Sequence, residues 1–359
     1  MTSTKPLVLL TGATGFVGAH VLDQLLGLAK YRVLAPVRST SKAKHFLDKY
    51  SKDISAGNLT FTTNPDLSAP HALDSILEDN KIAYIIHLAS PYFTTSSNPI
   101  EELVKPAVNA TRNVLLSALA HGEPDLKRLT VLSSFASVVD LSKNPRPGYQ
   151  YTSEEWDPVT EEEAAQNGVL GYHASKTFAE REAWKLHDIG PDESGNPQKA
   201  KFALTTLCPP MIYGPPIHYS PESVPKEGIT GLNTSTMRLI TGILGKDPLF
   251  APKVATPGLP AWIDVRDIAK ALIATIELPD DQNERVLLSG GVSYYEDGLK
   301  GLRPQGVQGL GEPGALVNPA NHFSLDQSKQ KAVLGLKEPI PFQKTVEDTY
   351  EAVKALGLL

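Results

Sequence analysis

Apolar and polar positions follow two rhythms along the first half of the chain. Short runs such as PLVLLT (6–11), RVLAPV (32–37), IAYIIHLA (82–89) and RLTVLSS (128–134) are apolar almost without alternation. That is the pattern of strands buried on both sheet faces. LTFTT (59–63) is a further strand, and helical spacing fills the gaps: FVGAHVLDQLLGLA, STSKAKHFLDKY, APHALDSILED and a long helix from about Pro99 to His121. Strands alternating with helices demand right-handed crossovers and a parallel sheet covered on both faces.

After Ser134 the rhythm breaks. Residues 140–170 form a polar insertion containing Pro and acidic residues, followed by a helix carrying GYHASKT (171–177) and a strand, KFALTTLC (201–208). From Pro209 onward prolines and glycines multiply, and only DVRDIAKALIATIEL, RVLLSG and a C-terminal helix are regular. The stretch Gly290–Ala320, rich in Gly and Pro, reads either as a flexible lid or as a loosely ordered segment. The expectation is an α/β chain, a Rossmann-type doubly wound parallel sheet with a smaller, discontinuous C-terminal substrate domain. Residues 1–208 form the dinucleotide-binding part, with segments at about 260–290 returning to it, and 209–359 mainly bind substrate.

Composition narrows the function. A net charge of −6 argues against nucleic acid or an acidic membrane surface as the main partner. The single cysteine, Cys208, ends an apolar run and reads as a buried structural thiol, which fits a reducing, cytoplasmic location. It also excludes multi-thiolate zinc sites, and no HExxH pair is present. The apolar stretch from Leu7 to Ala29 resembles a signal peptide only superficially, because Gly12, Gly15, Gly18, His20, Asp23 and Gln24 interrupt it. No uninterrupted apolar run reaches membrane-spanning length.

The candidate chemistry begins with TGATGFVG (11–18), which places Gly12, Gly15 and Gly18 between a strand and a helix. Glycines there permit the tight turn and let the backbone approach a pyrophosphate at the helix N-terminus. Thr14, Phe16 and Val17 belong to the same turn and join the cofactor set. At the end of the second strand stand Arg38 and Lys42 with no acid between them, which favours the 2′-phosphate of NADPH over the ribose diol of NAD. Asp66 and Leu67 follow the third strand and suit an adenine, although Asp66 is equally a plain turn residue. Ala89 and Ser90 end the fourth strand, and Pro209 follows the sixth. Ser133 and Ser134 end the fifth, where a hydroxyl can meet a ligand in the crevice. Tyr172 and Lys176 share a helix face, as residues at i and i+4 do. Tyr350 and Lys354 repeat that spacing near the C-terminus and read as surface.

Taken together, these features resemble the extended short-chain dehydrogenase/reductases. Within them the chain is similar to the group of dihydroflavonol reductase, cinnamoyl-CoA reductase and the fungal methylglyoxal/isovaleraldehyde reductases. The likeness rests on TGATGFVG, HLASPY (87–92), SSFASVVD (133–140), YHASKTFAEREAW (172–184), CPPMIYGP (208–215), LNTS (232–235), WIDVRD (262–267) and LDQSKQKAVLGL (325–336). It departs from the group in a short, Gly-rich 290–320 segment and in an insertion at 186–199.

The resemblance implies reduction of an aldehyde or ketone by NADPH. Tyr172 would be the general acid, Lys176 would favour its phenolate and bind the nicotinamide ribose, and Ser134 would hydrogen-bond the carbonyl oxygen. Asn109 is left outside this set. Phe93, Val139, Val169 and Tyr213 are candidates for the substrate wall, with core packing an equal account of each. The expected partner is a small-molecule carbonyl compound, with the protein a monomer or homodimer. Two other readings stay open: an epimerase or dehydratase that retains its cofactor, and a non-catalytic NADP(H) sensor.

Overall fold

A computed structural model describes residues 5–38, 40–63, 66–89, 96–191, 195–246 and 260–359. Along the chain come β1 (Leu7–Thr11), α1 (Phe16–Leu28), β2 (Arg32–Val37), β3 (Leu59–Thr63) and β4 (Ile82–His87). Then follow α2 (Lys105–His121), β5 (Arg128–Leu132), α3 (Gly168–Ile189) and β6 (Ala203–Cys208). Further on lie β7 (Met211–Tyr213), α4 (Thr234–Ile243), β8 (Ala261–Asp264), β9 (Glu284–Leu287), β10 (Gly291–Val292) and α5 (Phe342–Ala355).

Seven strands form one sheet in the order β9-β6-β5-β4-β1-β2-β3, a Rossmann-type arrangement. The pairings from β3 across to β6 are parallel. Every residue of β1 and β6 is buried, which is why these strands are apolar without alternation. Strand order reverses between β1 and β4, and the carboxyl ends of strands at such a switch point are where ligands bind in open α/β sheets. One core of this unit is built from Leu9, Ile85, Val114, Leu129, Leu186 and Leu204, among others.

The helix expected from Pro99 to His121 is two pieces. Ile100–Val104 is a π-helical turn, closed by the N–H of Lys105 donating to the carbonyl of Ile100, and α2 starts only at Lys105. Pro106 explains the break: it has no N–H to offer the carbonyl four residues back, and its ring crowds that carbonyl. The inserted segment at 186–199 closes with Gly190–Pro191 paired antiparallel to Pro197–Gln198.

The chain divides into two compact units: 1–142, 153–208 and 272–286 in the first, and 143–152, 209–271 and 287–359 in the second. In the second, β7 and β8 run parallel and β10 is antiparallel to β8. Tyr213, Leu239, Trp262, Phe342, Val346 and Tyr350 form its core. Tyr350 is therefore a core residue, a correction to the surface reading: it sits on the apolar face of α5, only 6% exposed, while Lys354 points out towards Glu351. The WIDVRD motif anchors the same helix. Buried Asp264 accepts from Arg266 at 2.7 Å and Thr345 at 2.6 Å, and Arg266 reaches Asp348 at 2.6 Å. The Gly- and Pro-rich segment carries a short helix, Tyr295–Leu299. Its acidic side chains Glu296 and Asp297 accept from the backbone N–H groups of Gly314 and Val317.

Candidate active site

The turn after β1 explains its glycines. Gly12 has φ +73°, and a Cβ there would stand 3.1 Å from the backbone nitrogen of Ala89. A Cβ on Gly18 would fall 2.0 Å from the carbonyl oxygen of Gly12, so only glycine lets α1 start this close to the turn. Thr11 ties the turn to the end of β4: its hydroxyl lies 2.8 Å from Nδ1 of His87 and accepts the N–H groups of Leu88 and Ala89 at 3.2 and 3.3 Å. With two N–H groups donating to it, the hydroxyl proton goes to the imidazole, leaving the proton of neutral His87 on Nε2. Burial and the nearby Lys176 ammonium push the His87 pKa down to about 4, so the ring is neutral near pH 7.

No side chain caps the start of α1, and no acidic residue stands in its first turn. The positive end of that helix is thus open to an anion, and the residues fit a pyrophosphate. Thr14, Phe16 and Val17 are half-buried around it and Gly15 is exposed. Arg38 is exposed directly after β2. Lys42 lies in the helix Thr40–Lys49, but its side chain falls outside the described residues, as do Ser90 and Phe93 altogether. Asp66 accepts from the N–H and hydroxyl of Ser68 at 2.8 and 2.6 Å, bonds that hold its pKa below the usual carboxylate range. That is the geometry of a turn aspartate. Leu67 packs against the core of the first unit.

At the end of β5 the two serines separate in role. Ser133 is buried and donates to Glu180 at 2.6 Å. Ser134 is half-buried and caps a 3₁₀ turn, Phe135–Ser137, accepting from the N–H of Ala136 at 3.1 Å. The Tyr172 hydroxyl donates to the same oxygen at 3.3 Å. A hydroxyl has one proton and two lone pairs. Both lone pairs of Ser134 are engaged, so its own proton is directed at a further acceptor.

Tyr172 and Lys176 lie on α3, whose N-terminus Asn167 caps by accepting from Val169 and Leu170 at 3.0 Å each. The Lys176 ammonium is 5.8 Å from the centre of the Tyr172 ring. Crowding by protein atoms draws the lysine pKa down to about 8, while the Glu180 carboxylate acts to raise it.

The other candidates are dispersed. Val139 is buried core, Val169 is 49% exposed, and Asn109 is exposed on α2. Tyr213 is buried in the second unit, its hydroxyl 3.3 Å from that of Tyr295. Pro209 is buried directly after β6. Sequence reasoning missed Thr11, His87, Glu180 and Arg285. Only Glu180 carried a usable signal, because it continues the spacing of Tyr172 and Lys176 by another four residues. Among the described residues no group of acidic, His or Cys side chains is arranged to hold a metal, and no helix is long and apolar enough to cross a membrane.

A glycine turn at a sheet switch point, with a serine, a phenol and an ammonium converging beside it, defines a dinucleotide-dependent enzyme of the Rossmann class. The sequence profile described as the NAD dependent epimerase/dehydratase family matches residues 8–288, and the chain belongs to that family, among its extended short-chain dehydrogenase/reductases. An uncharacterised oxidoreductase of Schizosaccharomyces pombe is 36% identical over 92% of each chain. A ketoreductase of Aspergillus niger is 31% identical over 94% of each. The crystal structure of a yeast methylglyoxal/isovaleraldehyde reductase complexed with NADPH superimposes with a TM-score of 0.82 at 26% identity, covering 98% of this chain and all of that one.

Proposed function

We propose that this protein is an NADPH-dependent carbonyl reductase that converts aldehydes or ketones to alcohols, with Tyr172 as the proton donor. One observation carries the reading: the Tyr172 hydroxyl bonds Ser134 while the Lys176 ammonium stands behind its ring. The naming of similar proteins as ketoreductase and methylglyoxal/isovaleraldehyde reductase supports the substrate class.

When bound, NADPH supplies the hydride that adds to the carbonyl carbon. The residues that would hold it are the 12–18 turn through its backbone, Arg38 and Lys42 at the 2′-phosphate, the Asp66–Leu67 and Ala89–Ser90 ends, and Pro209. Ser134 donates its free proton to the substrate oxygen and stabilises the charge developing there. Tyr172 transfers its phenolic proton to that oxygen, and the O–H bond of the alcohol forms as the phenol's breaks. Lys176 stabilises the phenolate left behind, which lets a group with an ordinary pKa of about 10 act near neutrality. Positioned proton transfer of this kind contributes roughly 10²–10⁴-fold.

Residues 1–208, with about 260–290 returning, bind the dinucleotide, and 209–359 mainly bind substrate. The protein acts on small molecules, as a monomer or homodimer. Its location is the cytoplasm, which the lone buried Cys208 supports.

The test is Tyr172→Phe. NADPH binding, followed by fluorescence, stays near normal, while carbonyl-dependent NADPH oxidation falls by about 10²–10⁴-fold. Comparable turnover by the variant would remove Tyr172 from the role. Stoichiometric NADPH consumption by the wild-type protein also separates a reductase from a cofactor-retaining epimerase, which consumes none.

A further inference from the structure

Glu180 is 1% exposed, yet it is charged and lies one turn beyond Lys176 on α3. One carboxylate oxygen accepts from Arg285 Nε at 2.8 Å and Thr206 at 2.6 Å, the other from Ser133 at 2.6 Å and Ser137 at 2.5 Å. Arg285 in turn bonds the carbonyls of Ser153 and Glu155 at 2.6 and 2.7 Å and lies 3.8 Å from the ring centre of Trp156. Burial opposes the Glu180 charge, but Arg285 and the hydroxyl donors outweigh it and keep its pKa below the usual carboxylate range. Stability alone is a poor account of such a pair, since apolar replacements of buried ion pairs are often neutral or stabilising.

The placement supplies a better account. Ser133 and Ser137 bracket Ser134, and the Ser137 hydroxyl also lies 2.7 Å from the Ser134 carbonyl, so its one proton is shared between that carbonyl and Glu180. Lys176 and Glu180 face one cavity of about 20 Å³, together with His87, Thr111 and Ser133. The ionisable groups around Lys176 and Glu180 are Tyr172 on the same helix, His87 from β4, and, against Glu180, Cys208 from β6 and Arg285 from β9. His87 is neutral, and burial followed by the Glu180 charge pushes the Cys208 thiol up to about 12, so it is neutral too. Glu180 is the buried anion among them.

We propose that Glu180 is a positioning residue for the reduction: its carboxylate keeps the Lys176 ammonium charged behind Tyr172 and, through Ser133 and Ser137, fixes the strand end that presents Ser134. The proposal rests on the assignment of Ser134, Tyr172 and Lys176 above.

The experiment compares the full-length protein with Glu180→Gln/Arg285→Gln, which removes both charges and keeps hydrogen-bonding groups in place, and with Glu180→Asp. The Lys176 titration is followed in cofactor-free protein by NMR of ¹³Cε-labelled lysine, its resonance identified by its loss in Lys176→Met. The kcat/KM for NADPH-dependent carbonyl reduction is measured against pH alongside. The neutral pair lowers the titration midpoint by about one pH unit, roughly tenfold in the ratio of ammonium to amine. The alkaline limb of kcat/KM moves with it, and Glu180→Asp returns both to their wild-type positions. A folded neutral-pair variant with an unmoved midpoint and limb overturns the proposal. Should that variant fail to fold, Ser137→Ala decides: the proposal requires a lower kcat with the alkaline limb in place, and an unchanged kcat overturns it. Tyr172→Phe in the same assays keeps the two claims apart. Full turnover there defeats the acid assignment, while the Lys176 midpoint still reports on Glu180 alone.

Discussion

His87 offers a direct measure of the electrostatics behind the site. The ring is buried against Thr11 and faces a lysine, so protonating it places a second cation beside Lys176. Burial, with Lys176 adding to it, holds the native pKa near 4, against about 6.5 in an unfolded chain. The unfolded state therefore binds more protons between these values, and native stability falls as pH drops through that window. A gap of about 2.5 units corresponds to roughly 3 kcal/mol lost between pH 7 and pH 4. His87→Asn is the informative change, because the Asn carbonyl can take the place of Nδ1 as acceptor for the Thr11 hydroxyl and carries no titrating group. Urea unfolding midpoints of the two cofactor-free proteins, compared at each pH from 7.5 to about 4, cancel the carboxylates they share. Near pH 7 the wild type is as stable as the variant or more so. Towards pH 4 the difference shifts in favour of the variant by roughly 3 kcal/mol. Parallel pH profiles would show that His87 is not held neutral by its burial and by the Lys176 ammonium beside it.

Two further substitutions test the cofactor end. Arg38→Ala weakens NADPH by about ten- to hundredfold, the value of a charge-assisted hydrogen bond, and leaves NADH nearly unaffected; equal losses for both in fluorescence titrations would cancel the 2′-phosphate assignment. Gly18→Ala forces its new methyl onto the Gly12 carbonyl and costs roughly 1–3 kcal/mol of stability along with much of the NADPH affinity, and an unchanged melting temperature with unchanged NADPH binding would contradict the packing at the turn.

What could be read from the sequence was what local pattern determines. β1, β2, β4 and β5 declare themselves because a strand covered on both faces is apolar throughout, and the 12–18 turn because glycine answers a steric demand only a few residues away. The π-turn at Ile100–Val104 was also inscribed locally, in Pro106, but helical periodicity hides a break that leaves the apolar face in register. The Glu180 cluster was not legible. Its partners lie 26 to 105 residues away, on separate strands and a turn, and nothing near Ser137 or Arg285 marks them as its neighbours. Asp66 is the opposite case: its partner Ser68 stands two residues on, so the turn that holds it was legible from the local sequence.

The two Tyr-x-x-x-Lys pairs show where chemistry becomes visible. Spacing places a phenol and an ammonium on one helix face in both, and it says nothing about the medium around them. On α5 the phenol is turned into the apolar core of the second unit while the ammonium stays in water, more than half exposed, opposite Glu351. High dielectric around that ammonium leaves it little influence on any neighbour. On α3 the ammonium is crowded by protein, and a buried cation needs a buried countercharge to stay charged. The requirement is written eight residues after the tyrosine: Glu180 follows Tyr172 there, whereas Leu358 follows Tyr350. A proton-donating pair of this kind is thus better sought as a column of phenol, ammonium and carboxylate on one helix face than as a pair, since the third member lets the second carry its charge out of water.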